Sequence, residues 1–271
     1  MTGLSPVRRP DNGDDDARLA GHGPNGGHGP SSGARAALLV LADGRLPAGG
    51  HAHSGGVEAA VVDGGLTSVD DLAAFLRGRL ATAGLLAASF AAAACRACQP
   101  ELPVVPEGPG RPGPTAGADP LAALDAELDA RTPSPAQREA SRAQGRTLLR
   151  AGRAAWELPA GITLPPAPHH PVALGVVAAA AGLAPADAAL AAVYGAASGP
   201  ASAATRLLGL DPLAVTGLLA RLAGELERVA AEAAAAAATA GSAADLPAPS
   251  AVRLDLLAER HRVAPVRMFA S

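Results

Sequence analysis

His51-Ala-His53 places two imidazoles two residues apart, and on a strand that spacing would turn both rings to one side. A hydrolytic metal centre would need at least a third protein ligand and one open coordination position. By residue type, His170 of the His169-His170 pair is the third histidine available, with Asp43 as a carboxylate. That makes a metal-dependent hydrolase built on His51, His53 and His170 the enzymatic alternative. No alternating β-branched run surrounds these residues to supply a sheet, so the plainer expectation is turn histidines and no bound metal. Cys95-Arg-Ala-Cys98 has the spacing of redox and zinc motifs. Its place near the end of an apolar helical run is the wrong half for a dipole-activated thiol, and no second cysteine pair completes a zinc site. Ser54 beside His51 and His53 lacks the strand-turn-helix elbow that exposes a nucleophile. The Gly49-Gly50 and Gly55-Gly56 pairs could cradle a phosphate, but the chain contains no lysine, so the Walker pattern cannot be completed. None of these groups makes a full catalytic constellation, and no cofactor is expected.

The elements around them read as helices. Ser68 with Asp71 forms a cap ahead of Leu72, Leu76 and Leu80, in a helix bent at Gly84 and running towards Cys98. Asp119-Pro120 opens a second with Leu121, Leu124 and Leu128, and Ser134-Pro135 a third, polar one to about Ala155. Pro171 leads a small-residue helix to Gly182. Ala184-Pro185 begins another, expected to be interrupted at Gly199-Pro200. After Asp211-Pro212, Val215, Leu218, Leu222, Leu226 and Val229 recur at one helical period, and a last helix lies around Leu254 to His261. Ser54 suits an N-cap before Val57 and Glu58.

Composition agrees. Of 271 residues about a quarter are alanine, five are aromatic and 49% are apolar. That excludes a wholly disordered chain and favours helix over sheet. A net charge of −3 argues against nucleic acid or an anionic membrane as partner. The most apolar stretch, Leu80 to Cys95, stops at Arg96 and gives no expected membrane span, so a soluble, cytoplasmic protein is expected. Residues 1–34, rich in glycine, aspartate and histidine, read as a disordered tail. Residues 99–120, with seven prolines, read as a flexible Pro/Gly-rich insert. The expected architecture is all-α, a single helical-bundle domain over 35–271.

One long motif resembles a known family. Leu46-Pro-Ala-Gly-Gly-His-Ala-His-Ser-Gly-Gly-Val-Glu58 is similar to the Leu-Pro-x-Gly-Gly segment of the urease accessory protein UreF family. The likeness continues through Gly145-Arg-Thr-Leu-Leu149, His170-Pro171 with Gly175, Ser202-Ala-Ala-Thr-Arg-Leu-Leu208 and Arg267-Met-Phe-Ala-Ser271. His51 stands where that family usually carries phenylalanine, and the 99–120 insert looks longer than usual. The resemblance implies a non-enzymatic, all-helical homodimer: a chaperone scaffold for nickel insertion. It would bind UreD (also called UreH), the GTPase UreG and apo-urease. The motif and partner-binding residues it points to are Arg45, Pro47, Gly49, Gly50, Ser54, Gly56, Glu58, Arg267, Phe269 and Ser271. His51 and His53 are left at most a passing contact with nickel. The final apolar segment, Val263 to Ser271, either packs on its own domain or docks on a partner; the resemblance implies docking.

Overall fold

Side chains cap the helices where the sequence provides them, in a computed structural model that describes residues 33–99 and 119–271. The order is α1 (Ala34–Ala42), a 3-10 turn (Gly50–Ala52), α2 (Val57–Val62), α3 (Val69–Arg79), one π turn (Leu80–Gly84) and α4 (Leu85–Ala97). Then come α5 (Pro120–Ala130), α6 (Pro135–Ala155), α7 (His170–Ala180), α8 (Pro185–Leu208), α9 (Pro212–Arg221), α10 (Ala223–Thr239), a 3-10 turn (Ala243–Asp245) and α11 (Val252–Arg262). No strand occurs among the described residues. The fold is all-α. Ser68 and Asp71 form a reciprocal capping box on α3, and Asp119, Ser134 and Asp211 accept first-turn N–H bonds on α5, α6 and α9. The expected tail and insert fall almost wholly outside the described residues.

Helix α4 is the axis of the core. It packs against α7, α8 and α10, with α5 alongside, and Ala88, Phe90, Ala91, Ala92, Ala94 and Cys95 are buried on it. Small side chains let backbones approach closely. A methyl added at Gly175 of α7 would run into the Ala91 carbonyl, and one at Gly152 of α6 would come within 2.5 Å of Val177. Glycine is therefore what sets the α4–α7–α6 stacking distance. The continuous run Val69–Ala97 is the one described helix long and apolar enough to cross a membrane. Of its most apolar window, 56% is buried inside the fold, as in a core helix.

A buried polar network pins the start of α7. Asp125 accepts from the His169 N–H at 2.7 Å and from Arg142 at 3.0 Å. Arg142 also reaches Asp129 at 2.7 Å. The His169 ring lies between Asp129 (3.1 Å) and the Ser141 hydroxyl (3.0 Å), which in turn accepts from the His170 N–H. Three helices are tied at one point, and each buried polar group has a partner.

Two expectations are corrected. Helix α8 runs unbroken through Gly199-Pro200. Pro200 removes the N–H that would have bonded the Ala196 carbonyl four residues back, and the Arg79 Nε–H donates to that carbonyl instead, at 3.0 Å. The single helix read after Asp211 is two, α9 and α10, parted at Leu222, although the apolar period continues across the break.

Candidate interaction site and family

The motif 43–58 is a loop held by three glycines in left-handed conformation: Gly49 (φ 79), Gly55 (φ 62) and Gly56 (φ 94). Gly56, not Ser54, is the N-cap of α2. Ser54 is nevertheless buried, and its hydroxyl accepts from the Glu58 N–H at 3.3 Å. At Gly55 a Cβ would meet the Pro200 ring at 2.9 Å and the Arg79 guanidinium at 3.3 Å, so the loop seats on α8 only without a side chain. Pro47, Gly50 and Arg45 are exposed, and Arg45 pairs with Asp43 at 3.0 Å.

The last residues of the sequence close over this loop. Glu58 is buried, and its carboxylate accepts from His261 (2.7 Å), the Met268 N–H (2.6 Å) and the Phe269 N–H (3.0 Å). The Ala270 N–H donates to the Ala52 carbonyl at 2.7 Å, and the Ser54 N–H to the Ser271 carbonyl at 2.6 Å. His53 Nδ1 lies 2.6 Å from the Ser271 hydroxyl. Phe269 is 4% exposed and sits under the Arg206 guanidinium, 4.7 Å from its ring centre. Burial pushes the Glu58 carboxyl up. The donors from Met268, His261 and Phe269 outweigh it and hold the group below its ordinary value.

Five of the ten residues singled out by sequence therefore meet in one place, Ser54, Gly56, Glu58, Phe269 and Ser271, while Gly49 faces Thr147 of α6 and Arg267 points outward. The final segment packs on its own domain, with Phe269 inward. What stays outside is Val266 (86% exposed), Met268 (66%) and Arg267. Helix α11 adds Val252, Leu256 and Val263, all exposed and spaced so that they share one face. Val62 at the end of α2 is exposed too, next to Asp63, which pairs with Arg260 of α11. These exposed apolar side chains stand near the arginines Arg253, Arg260 and Arg267 in sequence, and Glu259, paired with Arg262, falls on the same helical face.

The histidines do not converge as ligands. His51, His53 and His170 all border one cavity of about 660 Å³, His51 from its exposed side. Burial, with His53 nearby, pushes His170 down to about 4, and burial lowers His53 as well. Among the described residues no three His, Cys, Asp or Glu side chains stand close enough to hold a metal ion. Burial raises the Cys95 and Cys98 thiols to about 12 and about 11, the opposite of an activated pair. Sequence reading missed Arg79, Arg206 and His261. Arg79 left a signal, because it shares the helical stripe of Leu72 and Leu76.

Comparison with known proteins decides the family. The UreF family pattern matches residues 66–223. A urease accessory protein UreF of Mycobacterium sp. (strain JLS) is 47% identical over 235 residues, 86% of this chain and 97% of that protein. The chain belongs to the UreF family. UreF proteins of Mycolicibacterium vanbaalenii (45% over 236 residues, 87% of this chain and 98% of theirs) and Mycobacterium tuberculosis (45% over 233 residues, 85% and 97%) align over similar spans. UreF is an accessory protein rather than an enzyme, so the hydrolase alternative falls with the family assignment.

Proposed function

We propose that this UreF-family chain is a chaperone scaffold in nickel insertion, working as a homodimer that joins UreD/UreH, the GTPase UreG and apo-urease. The observation that carries the reading is the group of exposed apolar side chains Val252, Leu256 and Val263 on one face of α11 and its C-cap, with Val266 and Met268 exposed after it. Apolar side chains at helical spacing normally face a core, and here they face water. Covering them against a partner would remove apolar surface, while Arg253 and Arg267 at the margin supply charged contacts of the kind frequent at interface hot spots. Nickel is the cargo of this assembly. The scaffold acts through differential affinity for partner states, so it needs complementary surface and no acid–base pair of its own.

Complementation tests the reading. A urease-producing mycobacterium deprived of its own UreF should regain urease activity with this chain. The double variant Leu256→Asp, Met268→Asp should not restore it, while keeping its helical spectrum and soluble yield. Full activity from the double variant would remove the α11 face from the mechanism. No activity from the unaltered chain would overturn the scaffold reading itself.

A further inference from the structure

Two unusual backbone features meet at one side chain outside the α11 face. Gly55 adopts a positive φ and brings its carbonyl to Arg79 NH1 at 2.9 Å. The π turn Leu80–Gly84 begins directly after Arg79, and such turns are rare and frequent at functional sites. The guanidinium is part-buried between the 55–56 loop and α8 and lines the 660 Å³ cavity. Its bonds to the Gly55 and Ala196 carbonyls need two N–H donors, which a neutral amide could supply. The full charge is surplus to that task. No carboxylate lies within ion-pair distance of it among the described residues. Burial alone lowers its pKa to about 10. A cation left this way is unfavourable unless an anion joins it. The same cavity is lined by Arg206 and Arg267, which also have no acidic side-chain partner among the described residues, against the unpaired Glu139 side chain and the terminal carboxylate of Ser271. Asp43 and Arg262, which line it too, are paired with Arg45 and Glu259. His53 adds a neutral imidazole.

We propose that this cavity is an anion site in which the Arg79 guanidinium, braced by the Gly55 and Ala196 carbonyls, receives a small oxyanion of the phosphate or carboxylate class. Arg has five N–H donors in a planar fork; two are taken by the carbonyls, and the remainder match two oxygens of such an ion. Arg206 and Arg267 supply longer-range attraction at the mouth. The site does not depend on which proteins the scaffold binds.

The test uses the full chain with inorganic phosphate or acetate, against chloride at equal ionic strength. The thermal midpoint should rise saturably with at least one oxyanion, by roughly 3–5 °C at ten times the dissociation constant. A response to phosphate alone identifies a tetrahedral ligand, and one to acetate alone a planar carboxylate. The side-chain Nε–H resonance of Arg79 should shift along the same titration curve. Arg79→Gln should lose the saturable rise and Arg79→Lys should keep part of it. If Arg79→Gln does not fold, the Nε–H titration of the unaltered chain with Arg79→Lys decides. No rise above chloride, an equal rise in Arg79→Gln, or an unmoved Arg79 resonance would overturn the proposal.

Discussion

The Glu58 carboxylate takes three donors from residues more than 200 positions away, so its loss would leave two backbone N–H groups and the His261 ring without an acceptor. Glu58→Gln keeps the shape but turns one acceptor into a donor facing donors. It should cost about 2 kcal/mol and raise hydrogen exchange at Met268 and Phe269, read by mass spectrometry. Unchanged exchange there would mean that something other than Glu58 holds the segment. The folded pKa of Glu58 is lowered, so its stabilisation is present above the ordinary glutamate value and is lost as pH falls through the lowered one. The histidines act earlier. His170 is down at about 4, and His53 and His169 are lowered too, so the folded chain binds fewer protons than the unfolded one below about pH 6.5. Stability therefore falls as pH drops from about 6.5 towards 4. Melting curves of His170→Gln should show a flatter slope across that window; an identical slope would take His170 out of the linkage.

At the scale of elements, α8 stays straight through Pro200 because another helix supplies the missing donor. Pro200→Ala restores a backbone N–H at that position, which can bond the Ala196 carbonyl itself. Arg79→Ala should then be less destabilising in that background, by about 1 kcal/mol, as a denaturation double-mutant cycle would measure. Additive effects would show that Arg79 does not stand in for the lost N–H. The closing segment obeys a similar rule. Phe269→Ala should lower stability by about 3 kcal/mol, since the ring is buried and stacked under Arg206. Removing 267–271 should do at least as much, whereas a segment merely awaiting a partner would leave melting unchanged. The residues alone leave both outcomes open, because an apolar end looks the same whether its pocket is on its own domain or on another. The docking that the resemblance implied is corrected by Phe269, buried on its own domain and tied to Glu58. The caps at Ser68, Asp119, Ser134 and Asp211 were legible because each is local, satisfied within three residues of itself. The continuity of α8 was not legible, since its donor arrives from residue 79.

Across the whole molecule, alanine and glycine did most to make the fold readable. They announce helices that approach closely, and Gly175 and Gly152 set that approach in α7 and α6. Gly175→Ala should be destabilising by about 2 kcal/mol or more, through overpacking against the Ala91 carbonyl. The motif 46–58 was visible as a motif, but its folded role was not: it is the seat of a segment that begins more than 200 residues later. The α11 stripe escaped notice because Val252, Leu256 and Val263 alternate with Leu254 and Leu257, which face the core, so the helix reads as apolar on both sides. The scaffold role proposed for this UreF-family chain rests on that outward face. The most direct test is light scattering of the purified chain mixed with UreD/UreH and with UreG. The unaltered chain should form a complex of defined mass with at least one of them. Leu256→Asp with Met268→Asp, folded to the same melting temperature, should lose a complex that the unaltered chain forms. Undiminished assembly of the double variant, or no assembly of the unaltered chain with either protein, would contradict it.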